Sequence, residues 1–127
     1  MIKNLEEVWN LFELVNLSKV YISYSAKRKN QGQLMVNIEN IIATCKNNDD
    51  SKLAWDNEIF KNKSFLTLPI YKEHAELNGK ADGLLIYDYN KKKIILSGKY
   101  KKKITENYKI EMDNDNAFLK DNNGNNQ

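Results

Sequence analysis

Cysteine, proline, histidine and arginine each occur once in this chain, as Cys45, Pro69, His74 and Arg28. A lone cysteine excludes an internal disulfide framework; Cys45 lies in an apolar periodic segment and reads as a small buried side chain in a reducing compartment. No histidine or cysteine spacing suits zinc. The scarcity of arginine argues against base-specific recognition, because bidentate reading of a base edge favours a planar guanidinium, whereas lysine binds phosphate as a point charge. Glycine is limited to five residues, and none belongs to a phosphate-cradling loop or a nucleophile elbow. No apolar run approaches membrane-spanning length, and the opening Met-Ile-Lys-Asn-Leu-Glu-Glu puts acids where a signal peptide needs an apolar core. A cytoplasmic protein without a membrane partner is expected.

What is present describes an ordinary folded domain. At 127 residues, with 41% hydrophobic and 29% charged residues, the chain is large enough to bury one core and too apolar to be disordered throughout. A net charge of +3 is too small to imply nucleic acid by itself, so any electrostatic reading rests on where the lysines lie. The lysine and asparagine bias is also what codon usage in AT-rich DNA produces.

Leu5, Val8, Trp9, Phe12 and Val15 recur at helical spacing, with Glu6, Glu7, Asn10 and Glu13 on the other side, so residues 4–16 read as an amphipathic helix with Asn4 and Glu7 as its capping pair. Val20, Ile22, Tyr24 and Ala26 alternate with polar residues and read as a strand, ended by the basic turn Lys27-Arg28-Lys29. Leu34, Met35, Ile38, Ile41, Ile42 and Cys45 follow helical spacing, which predicts a helix over 34–46, although the β-branched content leaves a strand open. A short helix through Leu53, Trp55, Ile59 and Phe60, capped by Asp50 or Ser51, is expected next. Residues 64–71 read as a strand, and Pro69 within it removes an amide donor and so places it at a sheet edge or bulge.

The C-terminal part reads as a meander of strands over 82–89, 93–104 and 106–112. Period two places Ile94, Leu96, Gly98, Tyr100 and Ile104 on one face with Leu85, Tyr87 and Tyr89; Ile95, Ser97, Lys99, Lys101 and Lys103 share the other. Residues 114–127 are polar and read as a flexible tail beyond a single domain over 1–113.

The densest chemistry is the run from Lys91 to Lys103. Lys91, Lys92, Lys93, Lys99, Lys101 and Lys103 are the candidate nucleic-acid-binding residues, opposed nearby only by Asp82, Asp88 and Glu106. The competing reading is that these lysines protect a sheet edge from aggregation. His74 has the residue type for acid–base work but reads as an exposed loop side chain. No catalytic constellation, metal or cofactor is indicated.

The stretch Gly79-Lys-Ala-Asp82 followed by Ile-Ile-Leu-Ser97-Gly-Lys99 resembles the core of the RecB-like PD-(D/E)xK nucleases. The resemblance implies Asp82 as a metal ligand facing Lys99 across a two-residue turn. The family's second carboxylate is replaced here by Ser97, and the helix that follows the lysine is missing. The same hairpin, down to Asn114, resembles the repeating strands of periplasmic lipopolysaccharide-transport domains. The order of helix then meander, with one histidine, is similar to small toxin ribonucleases of the barnase/RelE type.

Together these readings predict an α+β protein, with N-terminal helices packed on an antiparallel sheet that ends in a meander. A non-enzymatic binder of a polyanion, most naturally nucleic acid, is the leading expectation. A protein-interaction module, such as a small inhibitor or regulator encoded by a mobile element, is the alternative, and a degenerate or toxin-like nuclease is the third.

Overall fold

Helix α1, Leu5–Leu14, forms as its spacing predicts. Asn4 accepts the Glu7 amide at 2.9 Å, while the Glu7 carboxylate reaches back to the Lys3 amide at 2.6 Å. Val8 and Phe12 are fully buried, and Asn16, at φ 58°, turns the chain sharply into the sheet. The computed structural model describes residues 2–30, 32–46 and 52–119, with side chains at all of these except 52–56.

Five strands follow: β1 Leu17–Arg28, β2 Met35–Cys45, β3 Gly79–Asp88, β4 Lys93–Lys101 and β5 Glu106–Met112. They form one antiparallel sheet in the order β2-β1-β3-β4-β5, so the fold is α+β. Between β2 and β3 lie α2 Lys52–Lys61, α3 Lys63–Leu66 and α4 Leu68–Glu73. The helix expected through Leu53 and Ile59 is therefore present as α2, while its proposed caps, Asp50 and Ser51, lie outside the described residues.

Two elements differ from expectation. Residues 34–46 were expected to be helical, and most of them form strand β2. Its core-facing residues are Val36 and Ile38, then Ile41, Ala43 and Cys45; the register jumps at Glu39, where Tyr24 pairs Ile38 and Ser23 pairs Asn40. The extra residue of this β-bulge turns an alternation of two into a step of three, and a step of three from Ile38 to Ile41 is what a helix also shows. Residues 64–71, expected to be an edge strand, are helical. Pro69 occupies the first turn of α4, where its missing N–H has no intrahelical partner to lose, and Leu66, Ile70 and His74 bury one helical face.

The core lies on one face of the sheet. Val20, Ile22, Leu85, Tyr87, Ile94 and Leu96 are buried there beneath Val8 and Phe12, with Trp9 edge-on to both Phe12 and Tyr87 at 5.4 and 6.3 Å. The Tyr87 hydroxyl donates to the Leu66 carbonyl at 2.6 Å, which fixes α3 over the same face. Ile104, expected on this face, lies beyond the end of β4 and is exposed.

The tail expected from Asn114 onward begins as packed structure. A 3-10 helix, Asp115–Phe118, buries Ala117 and Phe118, and Phe118 stacks on Phe65 at 4.2 Å between centroids. Asp115 accepts the Leu5 amide at 2.7 Å, so it serves an orphan donor of the first turn of α1. Residues 120–127 lie outside the described residues. Among the described residues no helix is long and apolar enough to cross a membrane.

Candidate nucleic-acid interface

The lysines that are dense in sequence are divided in space. Lys91 and Lys92 lie in the β3–β4 turn and Lys93 opens β4, whereas Lys99 and Lys101 lie toward its other end, roughly 20 and 26 Å from Lys93 at about 3.3 Å per residue. Lys103 follows in the exposed connection to β5. Lys92, at φ 54°, sits 3.1 Å from the centre of the Tyr89 ring and donates to the Tyr89 carbonyl. Lys93 pairs with Glu111 at 3.2 Å. The turn lysines are thus partly engaged, and they do not share a patch with Lys99 and Lys101.

The sheet builds a different cluster. Lys27 of β1 is the Cα partner of Lys80 of β3, and Lys80 is the partner of Lys101 of β4. Residues paired in this way share a face, and Ala26, Ala81 and Tyr100 alternate with them toward the core, so all three ammonium groups project from the face that carries no helix among the described residues. Adjacent strands lie about 4.8 Å apart, and like charges directly opposite one another disfavour pairing by a few tenths of a kcal/mol or more per pair.

The next row is Ser25, Asp82 and Lys99. Asp82 pairs with Lys101 at 2.9 Å, and that hydrogen bond, with the charge behind it, raises the Lys101 pKa. Lys27, Lys80 and Lys99 have no ion pair among the described residues. A groove of about 580 Å³ is lined by Lys27, Lys80 and Lys101 together with Asp82, Ser25 and, from β2, Asn37. Lys109 of β5, opposite Ser97, extends the positive side. Farther along the same face the residues become apolar: Ile42, Tyr21, Ile86 and Ile95 are partners in a row across β2, β1, β3 and β4.

Sequence reading singled out Lys99 and Lys101 but missed Lys80, and it treated Lys27 only as part of a turn. The local signal was present, since both lie in phase with the polar side of their strands. Pairing β1 with β3 across more than fifty residues is what no local pattern shows.

The residues of the nuclease-like stretch can also be placed. Asp82 and Lys99 are Cα partners, the pairing a two-residue turn would give. However, the Asp82 carboxylate is held by Lys101, and the chain after β4 enters strand β5 rather than a helix. Among the described residues, no three of His, Cys, Asp and Glu gather as a metal site would require.

His74, expected in an exposed loop, is 1% exposed at the C-terminal end of α4. Its Nε2 lies 2.8 Å from the Tyr24 hydroxyl, which lies 2.5 Å from the Tyr108 hydroxyl, which donates to the Asp82 carbonyl at 3.1 Å. Because Tyr108 spends its proton on Asp82, Tyr24 donates to Tyr108 and His74 Nε2–H donates to Tyr24. Nδ1 is left as a bare buried lone pair. Burial lowers the His74 pKa to about 4 and pushes the Tyr24 phenol far above its usual range. A neutral, enclosed imidazole of this kind holds the core and is poorly placed to exchange protons with a substrate.

No family model matches this chain, and no match was found among the curated proteins or the solved structures with which it was compared.

Proposed function

We propose that this protein binds a polyanion, most naturally the phosphate backbone of a nucleic acid, across the lysine row Lys27–Lys80–Lys101 with Lys99 beside it, and that it does so in the cytoplasm without catalysis. The observation that carries this reading is the direct opposition of three lysines on three neighbouring strands. Edge protection does not account for them, because the sheet edges are β2 and β5 while these lysines stand on β1, β3 and β4. An arrangement that weakens strand pairing gains when an anion neutralises it, and a row of ammonium groups at strand spacing suits successive phosphates. Lysine without arginine fits contact with backbone rather than bases, so little sequence preference is expected. The unpaired Cys45 agrees with a reducing compartment.

The test is fluorescence anisotropy with labelled single-stranded and duplex oligonucleotides over a salt series. With about four phosphate contacts on duplex DNA, the log–log slope should be roughly −3 to −4, and Lys27→Gln, Lys80→Gln and Lys101→Gln together should reduce it to about −1. Lys91→Gln with Lys92→Gln should leave it nearly unchanged. Absence of binding at low salt would reject the reading. It would favour the rival, a protein-interaction module that uses the apolar row formed by the exposed Ile42 and the half-buried Tyr21, Ile86 and Ile95.

A further inference from the structure

On the helix side of the sheet, the β1–β2 turn, α4 and the 3-10 helix border an open cleft of about 470 Å³. This is within the usual range for sites that take a small molecule. Its inner wall is apolar, formed by the buried Phe118 and the half-buried Leu34 and Leu68, and Tyr71 and Leu119 extend that wall outward although both are substantially exposed to water. Among the described residues the charged side chains lining it are Arg28 and Lys72, both cations, and no carboxylate lines it.

Both cations are fixed by neutral groups. The Arg28 guanidinium donates through Nη1 to the carbonyls of Ala75 and Leu77 at 2.6 and 3.3 Å, and Lys72 donates to the Asn116 carbonyl. Glu73, next to Lys72, interacts electrostatically with Lys72 and with Tyr24, Tyr100 and Tyr108, but does not line the cleft. Two positioned positive charges beside an apolar slot, with no acid among the described residues that line it, complement one kind of ligand.

We infer that this cleft binds a small amphipathic anion, an apolar chain or ring carrying one carboxylate, with its body against Leu34, Leu68 and Phe118 and its head group between Arg28 and Lys72. Both partners of the recognition are necessary. The apolar wall supplies burial, and the cations distinguish the acid from its neutral counterpart, since a hydrogen bond to a charged group contributes about tenfold or more in affinity. The site is separate from the lysine row, which projects from the opposite face of the sheet.

The experiment is isothermal titration of the full chain with decanoate and with decanol, each below its aggregation threshold, together with two variants. Ala75→Trp fills the cleft from an exposed position, and Lys72→Gln removes one charge while keeping a hydrogen-bonding side chain. Wild type should bind decanoate at least tenfold more tightly than decanol. Lys72→Gln should reduce that preference by about tenfold while leaving decanol unchanged, and Ala75→Trp should abolish binding of both. Circular dichroism and oligonucleotide binding, unaltered in both variants, confirm that the fold and the lysine row are intact. No decanoate binding at millimolar concentration, equal affinity for the alcohol, or binding that survives Ala75→Trp would each overturn the proposal.

Discussion

At the scale of the residue, the cluster of His74, Tyr24 and Tyr108 explains two of the five glycines. Gly83 and Gly98 are Cα partners; a Cβ on Gly83 would collide with the hydroxyls of Tyr24 and Tyr108, which fold inward from β1 and β5, and one on Gly98 would collide first with the Asp82 carbonyl and the Gly83 backbone and also with the Tyr108 hydroxyl. Bare backbone in mid-sheet is thus roofed by aromatic rings from both sides, and His74 closes the roof from α4. A histidine held neutral in this way has a pH signature. Its folded pKa of about 4 lies below the 6.5 of the free side chain, so between these values the unfolded chain binds more protons. Stability contributed by His74 is therefore complete above about pH 6.5 and falls as pH drops toward 4, by on the order of 3 kcal/mol. Glu73, whose pKa burial raises, acts in the opposite sense. That contribution cancels when wild type is compared with His74→Gln. Urea unfolding at pH 7 and pH 4.5 should show wild type losing about 2–3 kcal/mol more than the variant over this interval. Equal losses would place the imidazole in a more open setting than its 1% exposure implies.

At the scale of the element, strand β2 carries the main lesson. Deleting Glu39 would restore strict alternation, with Val36, Ile38, Ile41, Ala43 and Cys45 still facing inward and their partners in β1 unchanged. That deletion should shift stability by no more than about 1 kcal/mol, whereas deleting Asn37 leaves the bulge and turns Val36 away from the core, at greater cost. Thermal melts of the two deletion variants measure the difference. The bulge is also why β2 was not legible as a strand: its apolar spacing satisfied a helix template as well as a strand template, and only β1 selects between them. The same ambiguity governed residues 64–71, where alternate residues Phe65, Thr67, Pro69 and Tyr71 masked the helical set Leu66, Ile70 and His74. By contrast, α1 and the meander were legible because capping residues and parity are local. Asn4 with Glu7, and the inward set Leu85, Tyr87, Ile94 and Leu96, needed no knowledge of distant chain.

At the scale of the whole molecule, the sheet divides its work between two faces, one closed by helices and one open. Local reading recovered the closed face because burial imposes a pattern on each strand separately. It recovered only part of the lysine row, because Lys80 acquires its significance from Lys27 and Lys101 on either side. The closed face also depends on residues that composition alone assigned to a polar tail. Phe118→Ala should destabilise the protein by about 3 kcal/mol through loss of buried area and of the Phe65 stack, and Asp115→Ala by about 1 kcal/mol through loss of the contact with the Leu5 amide. Equilibrium denaturation of both variants tests this. Variants as stable as wild type would return residues 115–118 to the status of a loose extension.

The bond between Asp115 and Leu5 also sets a temporal order. A ribosome releases α1 long before it reaches the residue that accepts the Leu5 amide, 110 positions later, and β1 likewise waits for β3 before its second edge is satisfied. A nascent chain therefore exposes α1 incompletely capped until Asp115 emerges, and β1 half paired until β3 emerges. During that interval the β1–β2 hairpin presents an open backbone edge and one apolar face. A holdase that covers the nascent β1–β2 hairpin should therefore raise the yield of folded protein, as cell-free translation with and without such a holdase would measure.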